Sequence, residues 1–322
     1  MLNLLYCFDE NYNIQASVSI SSIARNIKEP VRVHIIHDNP ITFDKYLKDL
    51  SNYEFLDSIQ VYEFQEKNHD FPNLSGSHVT YATYFRLFIE NYIKEDVDYL
   101  VYIDADIVCV NNPTPDLLRN IEKMKELNLN VSGRPEGHEE TSKEYFDNLG
   151  FKGSKYFNAG VLIINYKHWI ESDMLKSLLK IMSENYEKIV FWDQDVLNLY
   201  YSGKFLDLDN KLNFNLDIYK DSTPQDKEKV KQDIKLIHYS GNGKPWHFSN
   251  LVLESSSYYQ EAYREFHKKK YHIVIKLKKH EFLNLFKFIF SNRLFKLKYP
   301  VYFIIKSLTL LISSLRKYFF QK

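Results

Sequence analysis

Residues 99–113 read YLVYIDADIVCVNNP, an apolar and aromatic run that ends in two aspartates, Asp104 and Asp106. Residues i and i+2 of a strand share one face, so the two carboxylates can converge where the strand ends. Adjacent carboxylates repel each other unless a cation lies between them. The pair therefore indicates a site for a hard divalent cation, Mn²⁺ or Mg²⁺, and the alternative is a solvated loop that follows a strand.

The composition limits the classes of protein to consider. A chain of 322 residues can bury a full core, either as one large α/β domain or as a domain with an appendage. It contains neither G-x-G-x-x-G nor G-x-x-x-x-G-K-[ST], so neither a Rossmann fingerprint nor a P-loop is supported. Cys7 and Cys109 lie in apolar runs and are predicted to be reduced core residues of a cytoplasmic protein. The start MLNLLYCFDE has no basic region and turns acidic at Asp9, so no secretory signal is expected.

The stretch 99–106 is one of several strand-like segments that alternate with helix-like segments. Apolar and β-branched runs predict the strands, and apolar residues at steps of three and four predict the helices. This alternation predicts an α/β fold with a mostly parallel sheet flanked by helices. The predicted strands are 2–8, 31–38, 58–64, 99–106, 130–133, 157–169 and 234–241, the predicted helices are 16–27, 42–52, 81–93, 175–186 and 193–201, and 210–233 is predicted as loop and exposed helix.

Acidic residues follow several of the predicted strands. Asp9, Asp38 and the pair Asp104 and Asp106 all come at strand ends. In open α/β sheets, ligands bind in the crevice outside the carboxyl ends of the strands. We therefore expect these carboxylates to share one edge of the sheet, at the ligand crevice.

Three further motifs carry polar side chains next to apolar segments. KYFNAGVLIIN places Asn158, Ala159 and Gly160 directly before a buried strand, and FWDQDVLN places two carboxylates and an amide at a helix start. HYSGNGKPWH separates a histidine from a lysine by six positions around two glycines. With FDENY (8–12) and YATYFRLFI (81–89), these motifs occur in the order and at about the spacings of one family.

Over residues 2–250 the sequence resembles glycosyltransferase family 8, the group of glycogenin and the bacterial lipopolysaccharide galactosyl- and glucosyltransferases. The resemblance implies the GT-A fold of nucleotide-diphospho-sugar transferases, with a helical, basic C-terminal extension here. It implies transfer of galactose or glucose from UDP-galactose or UDP-glucose with retention of anomeric configuration. It also implies Mn²⁺ as cofactor, with Mg²⁺ as the alternative. Abundant Lys, Asn, Ile and Tyr are typical of an AT-rich bacterial genome, which favours a glycan, glycolipid or glycoprotein acceptor in bacterial surface glycan synthesis.

The same resemblance assigns roles to individual residues. Asp104, Asp106 and His238 would hold the metal, and Lys244 would neutralise charge on the departing UDP. Gln194 and Asp193 would lie at the reaction centre, with Gln194 as electrostatic support for a front-face attack. The residues implied to bind the UDP-sugar are Asp9, Asn11, Arg86, Asp104, Ala105, Asp106, Asn158, Ala159, Asp193, Gln194, His238, Gly241 and Lys244.

One segment departs from the family pattern. Many members carry an Asp on the strand after the D-x-D, near the sugar and acceptor hydroxyls. Here the segment reads VSGRPEGHEE, with Gly133 and Arg134 at about that place and Glu136 as a candidate substitute. The identities of donor and acceptor therefore stay open.

Several of these residues have a structural alternative. Asp9 and Asn11 fit a strand-ending turn, and Asp193 fits a helix N-cap. Arg86 fits a capping or ion-pair role, and His238 fits a hydrogen-bonded core histidine.

Two other functions fit parts of the sequence. An apolar strand followed by D-x-D-x-V also resembles the nucleophile motif of haloacid dehalogenase-type Mg²⁺ phosphatases, although that motif follows the first strand and this one follows the fourth. A catalytically inactive nucleotide-sugar-binding module fits the fold as well. The phosphatase leaves FNAG, DQD and HYSGNGKPWH unexplained, and the inactive module predicts a damaged metal set.

The charges divide the chain unevenly. Residues 264–322 hold 15 Lys and Arg against two Glu, a formal charge of +13, which leaves −13 for residues 1–263. We therefore expect a catalytic domain at 1–263 and a basic segment at 264–322 that holds the protein on the cytoplasmic face of an anionic membrane. Packing on the body and a spanning helix are the alternatives for this segment. No nucleic-acid partner is expected.

Overall fold

The computed structural model describes residues 1–74, 80–94, 96–136, 143–216, 223–275, 294–295 and 297–320. The chain divides into two compact units, one of residues 1–214 and 234–238 and the other of residues 215–233 and 239–322. The division predicted from charge, at residue 263, rests on a different criterion and stays a prediction.

The first unit is built on a seven-stranded sheet with the strand order β3–β2–β1–β4–β7–β6–β8. Four of the six strand pairs are parallel, and β7 runs antiparallel to both of its neighbours, β4 and β6. The predicted α/β fold with a mostly parallel sheet is confirmed. The strands of this sheet are β1 Leu2–Phe8, β2 Val31–His37, β3 Leu56–Glu63, β4 Tyr99–Ile103, β6 Val131–Glu136, β7 Tyr156–Asn165 and β8 Leu206–Asp207.

A second sheet of three short strands has the order β5–β10–β9. Its strands are β5 Ile107–Cys109, β9 Phe214–Asn215 and β10 Leu236–His238. The predicted strand 99–106 is therefore too long, because β4 ends at Ile103. Asp104 to Ile107 form a turn closed by the Ile107 N–H on the Asp104 carbonyl, and the chain then enters the other sheet as β5.

Helices flank the first sheet, and the second unit contains helices of its own. The α-helices are α1 Asn13–Asn26, α2 Asp44–Leu50, α3 Ile89–Tyr92, α4 Thr114–Leu127, α5 Lys143–Leu149, α6 Tyr166–Glu171, α7 Met174–Glu184, α8 Trp192–Tyr201, α9 Pro224–Gln232, α10 Ser257–His267 and α11 Pro300–Phe320. Residues Tyr81–Phe88 form a 3₁₀ helix, so the predicted α-helix 81–93 is only partly correct. The tighter winding aligns residues three apart, and Ala82, Phe85 and Phe88 are all buried in the core.

The buried strand β7 ends earlier than predicted. The sequence predicts a strand over 157–169, but the strand stops at Asn165 and α6 follows. The Asn165 side chain caps that helix, because its Oδ1 accepts from the backbone N–H of His168 at 3.1 Å. The core under β7 is rich in aromatic side chains, which include Phe157, Tyr166 and Trp169.

The second unit has its own apolar cluster, in which Phe248, Tyr271, Leu297 and Phe303 are buried. In the tail the sequence predicts two helices divided by Pro300, and helix α11 begins at that residue. The other predicted tail helix, before Pro300, lies largely outside the described residues. Among the described helices, none combines the length and the apolar character that a membrane span requires.

Candidate active site

Asp104, Asp106 and His238 form a cluster at the carboxyl edge of β4. Each offers one ligand atom, and these atoms all lie within 4.8 Å of one another. His238 ends β10, which pairs antiparallel with β5 and brings His238 opposite Ile107. Its Nε2 lies 3.6 Å from Oδ2 of Asp104 and 3.4 Å from Oδ1 of Asp106. The convergence predicted from D-x-D is present, and the histidine joins it from a distant part of the chain.

The donor set of this cluster fits a divalent cation. Burial raises the pKa of Asp104, against the lowering effect of Arg86, and the Asp106 carboxylate adds to the rise. A cation between the carboxylates would relieve this repulsion. Two carboxylates and one imidazole are ligands that Mn²⁺ and similar divalent ions accept, so these residues can hold a metal ion.

Arg86 is the buried cation next to this cluster. Its Nε lies 2.6 Å from Oδ2 of Asp193, and its Nη2 lies 3.4 Å from Oδ1 of Asp104. Its Nη1 donates to the carbonyl of Ala159 at 2.5 Å, and the guanidinium lies 3.7 Å from the centroid of the Tyr102 ring. Arg86 therefore connects the 3₁₀ helix, β4, β7 and α8 around one charge.

Arg86 and Asp193 each favour the charged form of the other. Burial alone would lower the pKa of Arg86, but the Asp193 carboxylate holds that pKa above its usual range. Burial raises the pKa of Asp193 to about 6, and Arg86 opposes that rise, as does the hydrogen bond from Thr83. The ion-pair alternative for Arg86 is thus observed, and it does not exclude a role toward a ligand.

Gln194, at the start of α8, lies beside the first residues of β7. Its Oε1 accepts from the Ala159 N–H at 2.9 Å and from Nδ2 of Asn158 at 3.4 Å. Its Nε2 lies 3.3 Å from both Oε2 of Glu136 and the hydroxyl of Tyr156. These contacts bring together the amides that the family resemblance implies at the donor sugar.

Asp195 stabilises the start of α8, the helix that carries Gln194. One of its oxygens accepts from the hydroxyls of Tyr145 and Tyr156. The other accepts from the backbone N–H groups of Val190 and Phe191, at 2.8 and 2.7 Å. The carboxylate is fully buried, so these four bonds hold the segment before α8 in one conformation.

The sequence predicts that Asn158, Ala159 and Gly160 directly precede a buried strand, but in the structure they lie inside β7. The reason is the ladder with β6, which already pairs Glu136 with Tyr156 and Arg134 with Asn158. Because β7 runs antiparallel to β4, its first residues reach the edge where β4 ends. At this edge the Asp104 N–H donates to the Gly160 carbonyl at 2.8 Å, which joins the end of β4 to the start of β7.

Glu136 belongs to this site, although the set predicted from the sequence omits it. Its carboxylate accepts from Nδ2 of Asn158 at 2.9 Å, and it lies beside Gln194. The available signal was a carboxylate at the end of β6, where family members carry an Asp.

Asp9 and Asn11 follow β1, the neighbour of β4 in the sheet. Asp9 caps a short 3₁₀ helix, Glu10–Tyr12, and its carboxylate accepts from the backbone N–H of Asn11 at 3.0 Å. The turn alternative is therefore observed for these two residues. Ala105 is buried between the two aspartates of the cluster.

Gly241 and Lys244 belong to the second unit. Gly241 has φ of +73°, a backbone conformation that favours glycine. Lys244 is buried, and its Nζ donates to the Tyr239 carbonyl at 2.8 Å.

This fold and site define a class of enzyme. The solved structure of the galactosyltransferase LgtC, in complex with donor and acceptor sugar analogs, matches with a TM-score of 0.69. The match covers 88% of this chain and 100% of that chain at 21% identity. The protein therefore has the GT-A fold of nucleotide-diphospho-sugar transferases, as the resemblance implied.

The family follows from the sequence comparisons. The model of glycosyl transferase family 8 matches residues 3–250, and the chain belongs to this family. The lipopolysaccharide 1,3-galactosyltransferase of Salmonella typhimurium is 31% identical over 260 residues, 76% of this chain and 73% of that protein. A lipopolysaccharide 1,2-glucosyltransferase of Escherichia coli is 30% identical over 273 residues, 81% and 77% of the two chains. The protein is thus a glycosyltransferase, and the phosphatase alternative is not favoured.

Proposed function

We propose that the protein transfers a hexose, galactose or glucose, from a UDP-sugar to a glycan acceptor with retention of configuration. The observation that carries this proposal is the cluster of Asp104, Asp106 and His238, set beside the amides of Asn158 and Gln194 in a family 8 fold. The similarity to lipopolysaccharide galactosyl- and glucosyltransferases supports the choice of hexose.

Mn²⁺ is the proposed cofactor, with Asp104, Asp106 and His238 as its protein ligands. The imidazole favours Mn²⁺ over Mg²⁺, which prefers oxygen ligands alone. When bound, the ion supplies positive charge for the diphosphate that leaves with the nucleotide. Lys244 is proposed to contribute a second positive charge toward that diphosphate, and Gly241 to let the backbone come close to it.

The residues on the sugar side are proposed to orient the donor. Glu136 offers its carboxylate to sugar hydroxyls, and Asn158 holds that carboxylate through its amino group. Arg86 holds Asp193 in place through its ion pair. Asp9 and Asn11 are proposed to contact the uracil and ribose. Ala159 would contribute its backbone, whose N–H and carbonyl already bond to Gln194 and Arg86.

Gln194 is proposed as electrostatic support and not as a nucleophile. An amide is a weak nucleophile, and the Gln194 oxygen already accepts from the Ala159 N–H. That oxygen carries the partial negative charge of the amide, which can stabilise positive charge as it develops on the sugar. The acceptor hydroxyl would then attack from the face that UDP leaves, which retains the configuration.

The proposed acceptor is a lipid-linked glycan of the bacterial surface, such as lipopolysaccharide, at the cytoplasmic face of the membrane. The names of the relatives support this acceptor. A peripheral membrane contact is proposed for the basic segment 264–322. Helix α11 supports that contact, because Val301, Ile305, Leu308 and Ile312 form an exposed apolar stripe.

A panel of UDP-sugars tests the proposed reaction. Purified protein is incubated with Mn²⁺ and each UDP-sugar in turn, and released UDP is measured by chromatography. We expect UDP from UDP-galactose or UDP-glucose, loss of release in EDTA, and no cleavage of p-nitrophenyl phosphate. Binding of UDP without release from any donor or acceptor mixture would instead indicate a catalytically inactive binding module.

A further inference from the structure

Asn213 is fully buried between the metal cluster and the residues on the sugar side. Its Nδ2 donates to Oδ1 of Asn158 at 2.9 Å. Its Oδ1 lies 2.8 Å from Nδ1 of His238. One amide thus joins a candidate sugar-binding residue to a candidate metal ligand.

The direction of each hydrogen bond in this series, from Glu136 through Asn158 and Asn213 to His238, follows from the Glu136 carboxylate. A carboxylate accepts, so Asn158 must present its amino group to Glu136, at 2.9 Å. The Asn158 oxygen then faces the other way, where it accepts from the Gly160 N–H at 3.0 Å and from the Asn213 amino group. Asn213 in turn must present its carbonyl oxygen to His238.

This order determines which nitrogen of His238 carries the proton. The Asn213 oxygen only accepts, so Nδ1 of His238 is the donor. The other nitrogen, Nε2, lies 3.6 and 3.4 Å from the Asp104 and Asp106 carboxylates, beyond the usual length of an N–H···O hydrogen bond. Nε2 therefore directs a lone pair toward the place where the two carboxylates converge.

We propose that Asn213 is a positioning residue that holds His238 as the Nδ1–H tautomer, with Nε2 free to ligate a divalent cation. The proposal rests on the proposed function, because it names the cation as the partner of His238. Hydrogen bonds from a metal-bound histidine to an outer residue fix the tautomer and ring orientation, and their loss costs about 10–100-fold in metal affinity. Through Asn158, the same bonds connect the metal site to Glu136 on the sugar side.

Two substitutions separate the two bonds of Asn213. Asn213→Leu has a similar size and removes both bonds, whereas Asn213→Asp keeps an acceptor for His238 and loses the donor to Asn158. ¹⁵N NMR of the metal-free protein reports the histidine tautomer, and the His238 signal is assigned by its absence in His238→Gln. Electron paramagnetic resonance of free Mn²⁺ reports the affinity for the metal, with and without UDP.

We expect the Nδ1–H tautomer in the wild type and a Mn²⁺ affinity for Asn213→Asp within a few-fold of wild type. In Asn213→Leu we expect loss of that single tautomer and Mn²⁺ binding weaker by about 10–100-fold. Asn198→Leu is the control, because it removes buried amide bonds to the Phe157 backbone and to the Gln194 carbonyl. It should lower the melting temperature and leave the tautomer unchanged.

An Nε2–H tautomer in the wild type overturns the inference, as does wild-type Mn²⁺ affinity in Asn213→Leu. If Asn213→Leu does not fold, the tautomer of the wild type and of Asn213→Asp still decides the matter. The NMR measurement needs no metal and no substrate. A wild-type protein that shows Nδ1–H but binds no Mn²⁺ would therefore contradict the proposed function and leave the tautomer assignment standing.

Discussion

Gly160 lies against the imidazole ring of His238, so closely that a β-carbon on Gly160 would stand 2.5 Å from Nδ1 of that ring. Real β-carbons do not approach another atom to this distance, so one of the two residues would have to move. The Gly160 N–H and carbonyl are both used, by Asn158 and by the Asp104 N–H. The strand is therefore held in place, and the ring of His238 is the part that would shift.

Gly160→Ala is expected to displace His238 and weaken the metal site. We expect Mn²⁺ affinity to fall by at least about tenfold, the scale of a misplaced ligand. Overpacking should also lower stability by about 1–3 kcal/mol. Calorimetry of Mn²⁺ binding with UDP, together with urea unfolding, measures both effects. Gly150→Ala is the control for metal affinity alone: nothing lies within 4 Å of its added β-carbon, but its φ of +76° means that backbone strain should lower stability without moving His238. Wild-type metal affinity in Gly160→Ala would contradict the prediction.

Asp106→Asn is expected to remove a proposed metal ligand while keeping the size of the side chain. An amide carries no charge to attract a divalent cation, so turnover should fall by about 100-fold or more. UDP release under saturating UDP-sugar measures this, and Mn²⁺ resonance reports the lost binding. Asp98→Asn is a matched control, because Asp98 is an exposed aspartate just before the same strand, β4. Equal UDP release by wild type and Asp106→Asn, with and without EDTA, would show that no metal acts through Asp106.

Arg86→Met is expected to destabilise the fold as well as the site. The substitution leaves Asp193 buried without its cation, which should cost about 3–5 kcal/mol in the free energy of unfolding. Replacing Asp193 by Leu in the same chain should recover part of that loss, because no uncompensated charge then remains. Urea unfolding of the single and double variants measures the difference. Arg119→Met removes an exposed guanidinium from Asp116, a buried carboxylate that keeps Lys211 as its other partner, and should cost about 0–1 kcal/mol. A similar cost for Arg86→Met would show that its ion pair contributes little.

Much of the fold was predictable from the sequence because buried strands have strong local signals. The run before Asp104 and the run from Tyr156 are almost continuously apolar, and both form central strands. The ends of these strands were less predictable. The strand after Phe157 was predicted through Trp169, yet it stops where the Asn165 side chain caps α6.

The cluster of Asp104, Asp106 and His238 was predictable, whereas Asn213, which we propose to orient His238, was not. The D-x-D and the family spacing lead to Asp104, Asp106 and His238. Asn213 lies in a segment predicted as loop and exposed helix, and it acquires a role only through tertiary contacts with Asn158 and His238. Such contacts have no local pattern in the sequence.

His272, in the second unit, is expected to make the stability depend on pH. Burial, with weaker contributions from His267 and His247, lowers the pKa of His272 to about 3, and the Tyr259 hydroxyl lies 2.7 Å from its Nδ1. The unfolded chain binds this proton near pH 6.5, so the contribution of His272 is complete above pH 6.5 and is lost as the pH falls toward 3.

Between pH 6.5 and 4.5 this loss should amount to about 1.4 kcal/mol per pH unit. His272→Gln should flatten the pH dependence in that range, as measured by urea unfolding at several pH values. His69→Gln, at an exposed position, is the control and should keep the wild-type slope. Equal slopes for wild type and His272→Gln would mean that His272 is not held neutral in the folded state.

The apolar stripe of α11 is expected to bind an anionic membrane. Ile305 and Leu308 are exposed on this stripe, opposite the face on which Phe303 and Ser307 are buried. Ile305→Glu with Leu308→Glu should place two carboxylates at the lipid boundary and prevent co-sedimentation with phosphatidylglycerol vesicles. Wild type should co-sediment and be released by high salt. These point variants are preferable to a truncation after Tyr263, because α10 continues to His267.

The charge-matched control for the stripe is Thr309→Glu with Ser313→Glu, two exposed positions outside it on the same helix. Both double variants add the same negative charge, so electrostatic repulsion alone should weaken vesicle binding equally. A contact through the apolar stripe predicts a larger loss for Ile305→Glu with Leu308→Glu, while UDP release in solution stays at the wild-type rate for both. Equal losses would assign the binding to the basic charge of the segment alone, and a wild-type protein that ignores the vesicles would show that the tail has no membrane role.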